Sequence, residues 1–328
     1  MLSEAGYLVL NKIYEPIQGD LAKVGEDMKA LCNVDIPWLT EMLTYTLSGG
    51  GKMIRPALVL LSGNFYKYNR NSLWPMATAV ELMHNATLVH DDAIDKSSVR
   101  RGKSTINNVW GGEKAVLLGD FLFARAGEFA TDTGNLEVVR LFTQTLSTIS
   151  SGELIQTFNA YNLNQSKEDY IERIACKTAS LFCLATKTGA ILSQAPQRSV
   201  QILNDYGYNL GIAFQIMDDI LDFIGAEEEL GKPMGSDLSQ GTLTLPAMLL
   251  MERYSDGNPV IKIFRNEDKN KNIPLAIDMI RNSSIVEECF MEAADYCARA
   301  RCKLNELPDI EARQSLAELT DYIIKRKN

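Results

Sequence analysis

No proline interrupts the chain between Pro75 and Pro196, and apolar residues recur there at three- and four-residue spacing, as in AVLLGDFLFARAGEFA. That period lays one apolar stripe along a helix, and the abundance of Ala, Leu, Glu and Phe favours the same state. Breaks fall at Thr133-Gly134-Asn135, at Asn162 to Ser166 and at Ala195-Pro196, leaving long helices of roughly 20 residues or more. Shorter helices are predicted near 3–30, 37–47, 55–67, 242–254, 259–266, 271–281, 284–304 and 310–325. Strand-like alternation bounded by hairpin signals is absent, so no strand is predicted. The most irregular stretch, GAEEELGKPMGSDLSQG at 225–241, predicts an ordered functional loop or a mobile lid. With no composition shift, low-complexity tract or fixed-period repeat, residues 1–328 read as a single all-α domain.

Composition narrows the function more than the fold. A hydrophobic content of 46% and a charged content of 23% describe a soluble globular chain with material for a core. Apolar runs such as ALVLL at 57–61 fall far short of the ~18 residues that span a bilayer. The start MLSEAGYLVLNKIYEP lacks a signal peptide's charged region and cleavage site, so a cytoplasmic, not membrane-spanning protein is expected. A net charge of -9 argues against nucleic acid as a partner, because that partner requires a broad basic face. The six cysteines form no CxxC pair and both histidines, His84 and His90, lie far from them in sequence, which favours reduced structural thiols over a zinc site.

Against that acidic background the segment LVHDDAIDKSSVRRGKST at 88–105 packs Asp91, Asp92 and Asp95 just before Arg100 and Arg101. The same DDxxD spacing returns at Asp218, Asp219 and Asp222 in QIMDDILDF. Positions i and i+4 share a helical face, so each motif aims its first and last carboxylates in one direction. Random placement of the aspartates would yield about 0.07 copies of DDxxD in a chain this long, and a pair far more rarely. A solvated acidic face is the ordinary reading of one copy, but both motifs are embedded in apolar helix sequence, where unpaired carboxylates are costly. Neutralisation by a hard cation solves this: oxygen-only ligands favour Mg²⁺, which completes its octahedron with substrate phosphate and water.

Cations that would answer a phosphate follow. In GGGKMIRPAL at 49–58 three glycines precede Lys52, Arg55 and a helix start, a plausible phosphate cradle that is neither a Walker A sequence nor a dinucleotide fingerprint. Lys177 lies in the apolar context RIACKTASLF, and His84 is seven residues before Asp91 on roughly the same face. Singly, each reads as a snorkelling, surface-paired or core side chain; together they form a set suited to diphosphate.

These motifs, in the order GGGKMIRP, HNATLVHDDAID, RRGKST, LLGDFLFARA, KTASLF, FQIMDDILDF and GKPMGSDLSQGTLTLP, resemble those of the trans-type (E-) prenyl diphosphate synthases of the isoprenoid synthase fold, from about residue 40 to 250. The resemblance implies a bundle of long antiparallel helices around a deep cavity, usually a homodimer. It implies that Lys52, Arg55, His84 and Arg101 hold isopentenyl diphosphate, and that Arg100, Lys177, Thr178, Gln215 and Lys232 line the allylic diphosphate side. Three Mg²⁺ ions would sit on Asp91, Asp95 and Asp218, with Asp92, Asp219 and Asp222 supporting those ligands directly or through water. The small residues Ala86 and Thr87, five and four positions before the first motif, imply a product above C20, with a floor at Met83 or the phenylalanines of 121–129. The sequence departs from the family pattern at Met53, often Arg, at Ser104, often Pro, and at Thr242, Lys in many short-chain members.

The implied chemistry is elongation of an allylic diphosphate by isopentenyl diphosphate. A terpene cyclase of the same fold is the second enzyme reading, opposed by cations for a second diphosphate. A non-catalytic subunit that binds prenyl diphosphates is the third, opposed by two intact acidic motifs. The C-terminal KRKN either closes over the site or is frayed surface, and frayed surface is the expectation.

Overall fold

The structure, a computed structural model, describes residues 4–48, 51–100, 102–225, 233–254 and 256–326. The chain opens with α1 (Glu4–Ile13), α2 (Gln18–Ala30), α3 (Pro37–Leu47), α4 (Ile54–Gly63) and α5 (Arg70–Ile94). A small hairpin, β1 (Val99–Arg100) and β2 (Lys103–Ser104), precedes α6 (Ile106–Trp110), α7 (Gly112–Asp132) and α8 (Leu136–Phe158). Next come α9 (Lys167–Ile174), a π-helical turn (Ala175–Ala179), α10 (Ser180–Leu192) and α11 (Gln197–Ile224). The chain continues through α12 (Ser236–Gln240), α13 (Leu245–Arg253), α14 (Pro259–Phe264), α15 (Lys269–Arg281), α16 (Ile285–Leu304) and α17 (Glu311–Lys325).

Local chemistry sets the principal breaks where the sequence places them. Asn135 accepts hydrogen bonds from the Glu137 and Val138 amides to start α8, and Ser166 with Asp169 forms a capping box at α9. Two readings need correction. The helix expected over 3–30 is broken because Pro16, which has no amide proton to donate, sits in a 3₁₀ turn between α1 and α2. The hairpin around Gly102 escapes a pattern search because two-residue strands have no alternation to detect.

α4 is buried on nearly every side and packs against α5 and α10, as a helix apolar all round must. α5 lies along α7, while α11 packs against α10 and α16. Leu73, Met76, Ala77, Val80 and Met83 give α5 a fully buried stripe. The 28 residues of α11 span about 42 Å, which makes it a rigid carrier for the second acidic motif. α17 is tied to it where Tyr206 Oη donates to the Leu316 carbonyl at 2.8 Å. Among the described residues no helix is long and apolar enough to cross a membrane.

Candidate active site

Both acidic motifs occupy the last turns of their helices, α5 and α11. The carbonyl end of a helix carries partial negative charge, so carboxylates there are disfavoured and cations welcomed. Burial pushes Asp91 up to about 6; Lys177 and Arg100 oppose the shift, Glu153 and Asp95 add to it. Asp95 is also raised, again mainly by burial.

The three aspartates of the first motif do not have equal surroundings. Asp92, expected among the metal ligands, is buried and accepts a 2.8 Å hydrogen bond from Arg100 Nε. One residue on from Asp91 is 100° round the helix, and that turn delivers Asp92 to the hairpin. Arg100, expected on the allylic diphosphate, thus also anchors β1 to α5. In the second motif Asp222 is fully buried; its Oδ1 accepts from Ser236 Oγ at 2.9 Å and its Oδ2 from the Asp237 amide at 3.2 Å. Its position in the last turn of α11 makes it the clamp for the chain returning at α12, an anchoring role that the motif spacing does not reveal. Asp218 has 43% of its side chain open and accepts from Arg326 Nη2 at 2.7 Å.

The π-turn brings the motifs together. Lys177 Nζ lies 2.7 Å from Glu153 Oε2 and 4.0 Å from Asp91 Oδ2. Burial alone would lower the Lys177 ammonium, but Asp91 and Glu153 more than reverse this and hold it up. The adjacent Thr178 Oγ1 donates to Gln215 Oε1 at 2.6 Å, Gln215 Nε2 donates to Asp219 Oδ1 at 2.8 Å, and Tyr170 Oη donates to Asp219 Oδ2 at 2.8 Å. One turn therefore faces the first motif with Lys177 and the second with Thr178. Asp237, whose amide donates to Asp222, adds to the upward shift of both Asp95 and Asp219. Helices widen to a π-turn most often where function requires a side chain to be re-aimed.

On the other flank Arg55 sits 5.0 Å from the Phe182 ring and 5.8 Å from the Phe214 ring, and Lys52 Nζ lies 5.9 Å from the Tyr322 ring. Met53, between them, holds a left-handed backbone with φ 50°, strain of a kind concentrated at functional loops. His84 is half-buried in α5. The C-terminal segment is not frayed at Arg326: its side chain is 3% exposed, donates from Nη2 to Asp218 Oδ1 and to the Phe214 carbonyl at 2.6 Å, and lies 3.9 Å from the Phe214 ring. The Asp218 carboxylate, the Phe214 carbonyl and the Phe214 ring together hold the guanidinium out of water. Arg101 and Lys232 lie outside the described residues.

Tyr170 and Glu153, which touch the motif residues, are not singled out by the sequence, and Arg326 falls within the end expected to fray. A basic cluster in KRKN is a usable signal for Arg326; a tyrosine and a glutamate on ordinary helices carry none.

The donor set fits a hard divalent cation. It is all oxygen, two of its carboxylates are destabilised as anions, and Asp218 is open. Among the described residues no three His, Cys, Asp or Glu side chains form a closed cage. Carboxylates few in number and open on one side suit Mg²⁺, which usually completes its shell with phosphate and water.

The shifts have a pH consequence. Asp91, Asp95 and Asp219 all titrate above their ordinary range, Asp219 at about 7 through burial first and Asp237 second. Folded protein therefore binds more protons than the unfolded chain in this window; the stability contribution is full below the ordinary aspartate range and is lost as pH rises toward about 7. Protein stripped of divalent ions is expected to melt higher at about pH 5 than at about pH 7.5 from this source, with Asp91→Asn reducing the difference. Thermal unfolding in EDTA at the two pH values measures it, and an equal pH dependence in wild type and variant would contradict the assignment.

Comparison with known proteins bears on this geometry. Residues 36–280 match the family model described as Polyprenyl synthetase. The chain is 37% identical to heptaprenyl diphosphate synthase component 2 of Bacillus subtilis (strain 168), over 96% of its own length and 90% of the relative's. A crystal structure of polyprenyl synthase from Caulobacter crescentus CB15, complexed with calcium and isoprenyl diphosphate, superposes with a TM-score of 0.93 at 33% identity, covering 97% of this chain and 98% of that one. Heptaprenyl diphosphate synthase from Staphylococcus aureus gives 0.90 at 36% identity, covering 95% and 99%. Likeness this extensive, in a chain whose two acidic motifs are linked through the π-turn, places the protein in the polyprenyl synthetase family.

Proposed function

We propose that the protein is a Mg²⁺-dependent prenyltransferase that elongates an allylic diphosphate by sequential 1'-4 trans condensation with isopentenyl diphosphate. Its product is a linear polyprenyl diphosphate longer than C20, as the heptaprenyl names of its relatives support. The observation that carries this reading is the π-turn whose Lys177 and Thr178 face the two acidic motifs.

Asp91, Asp95 and Asp218 would hold Mg²⁺, three ions in all, which when bound supplies Lewis-acid stabilisation of the departing diphosphate. Lys177, Arg100 and Lys232 would take its remaining oxygens. Thr178 and Gln215 line the same side, with Gln215 braced on Asp219. Lys52, Arg55, His84 and Arg101 would bind isopentenyl diphosphate, and the rings of Phe182 and Phe214 would hold the Arg55 fork in place. Apolar helix walls exclude water that would quench the allylic cation. Its carbon is attacked by the double bond of isopentenyl diphosphate, and the proton then lost passes to the released diphosphate, so no side-chain base is needed.

Ala86 is fully buried and Thr87 half-buried, with Thr87 one turn below Asp91 on the same face of α5. A growing tail would pass there. Purified protein given Mg²⁺, isopentenyl diphosphate and farnesyl diphosphate is expected to form linear products beyond C20 by mass spectrometry, and Thr87→Phe to shorten them to C20 or below. Cyclised hydrocarbon without consumption of isopentenyl diphosphate would overturn the reading in favour of a cyclase.

A homodimer is part of the proposal. Val116 and Leu117 on α7 and Leu154, Ile155 and Phe158 on α8 are exposed, Phe158 at 86%, and apolar groups this prominent suit burial against a second copy. Cytoplasmic residence suits six unpaired cysteines, which a reducing compartment preserves. The Bacillus relative's designation as component 2 supports a second reading in which an accessory subunit is required; turnover by the purified chain alone would exclude that requirement.

A further inference from the structure

Glu153 sits in α8 directly after Gly152. A Cβ built on Gly152 would lie 2.8 Å from Cys176 Cβ and 3.2 Å from the Lys177 amide, so only a glycine lets α8 pass this near the π-turn. The close approach delivers the Glu153 carboxylate to Lys177 Nζ at 2.7 Å, while Asp91 Oδ2 stands off at 4.0 Å. Two carboxylates thus compete for one ammonium, and the one in the motif is the loser.

The arrangement matters because an ammonium and a divalent cation would compete for the same oxygen. A lysine closed on Asp91 would have to be displaced before metal could bind. We infer that Glu153 is a positioning residue that draws the Lys177 ammonium off Asp91, keeping that carboxylate open to a divalent cation and aiming the ammonium at the substrate diphosphate. The inference rests on the reading of Asp91 as a metal ligand. It differs from assigning Glu153 to the metal itself, where the glutamate would act with or without the lysine.

The test is a double-variant cycle read by calorimetry, with Mg²⁺ titrated into protein and inorganic pyrophosphate. Glu153→Gln is isosteric and is expected to weaken Mg²⁺ binding by about tenfold, the scale on which residues behind a ligand act. In a Lys177→Met background the same substitution is expected to change Mg²⁺ binding less than about twofold, because there is no ammonium left to restrain. Glu153→Asp, which keeps the charge on a shorter arm, is expected to recover part of the loss. In turnover assays the half-saturating Mg²⁺ concentration should rise in Glu153→Gln with KM for isopentenyl diphosphate unchanged, a split that general loosening of the fold would not produce. Unchanged Mg²⁺ binding in Glu153→Gln overturns the inference. So does a loss that persists in the Lys177→Met background, which would make Glu153 a direct partner of the metal. If Asp91→Asn binds Mg²⁺ and pyrophosphate as wild type does, the metal assignment of Asp91 fails and the inference falls with it.

Discussion

Asp91→Asn is expected to lower turnover by about a thousandfold or more while leaving the melting temperature of the metal-free protein unchanged or higher. The loss follows from several kcal/mol of charge stabilisation at the departing diphosphate, each 1.36 kcal/mol being about tenfold in rate. The unchanged or raised stability follows from burial: a carboxylate pushed up to about 6 in the folded chain is a strained anion at neutral pH, and an amide of the same shape relieves it. Opposite effects on activity and stability mark a residue kept for function. Rates from radiolabelled isopentenyl diphosphate and unfolding by circular dichroism measure the two halves. Activity within tenfold of wild type would move the metal away from α5, and a large drop in melting temperature would recast Asp91 as structural.

The second large effect concerns stability. A Cβ at Gly211 would lie 2.5 Å from Ala179 Cα and 2.8 Å from Ala179 Cβ, so α11 and the end of the π-turn touch backbone to backbone. Gly211→Ala must force them apart. Overpacking of this kind costs about 1–3 kcal/mol or more, and with about 2–4 °C per kcal/mol in a large domain the melting temperature is expected to fall by roughly 5–10 °C. Activity should fall with it, because the Thr178–Gln215 hydrogen bond spans the same gap one turn further along α11. Gly127 is the control: no heavy atom lies within 4 Å of a Cβ placed there, and Gly127→Ala in the interior of α7 is expected to stabilise by about 0.5–1 kcal/mol. Equal effects at the two positions would mean that helix propensity, not close approach, governs Gly211.

Features set by neighbours in sequence were legible in advance. Asn135 and Ser166 cap helices because their own side chains reach the amides two or three residues on, and the pattern of residues around them is enough to see it. The acidic motifs were legible for the same reason, since i and i+4 on a helix need no knowledge of the fold. What the chain kept hidden depends on distant partners. Asp92 and Asp222 look like their neighbours until the hairpin and α12 fold back on them. Glu153 is an ordinary surface glutamate until α9 and the π-turn are laid beside α8. Arg326, read as frayed, is drawn in by a carboxylate on α11 that lies 108 positions earlier. The π-turn has no sequence signal at all, because one extra residue in a helix changes neither composition nor period by enough to detect.

That extra residue also constrains which length changes the gene can tolerate. Each residue advances a helix by about 100°, so α9 and α10 are two segments out of phase with each other, α9 fitted to α8 and α13 and α10 to α4 and α11. Loss of one codon from 175–179 would restore a continuous α-helix and rotate one segment by about 100° against its neighbours, turning a buried face to the outside. A codon lost from the connection between α8 and α9 carries no such penalty. Length variants of this protein should therefore accumulate between helices and be excluded from the five residues where Lys177 and Thr178 lie.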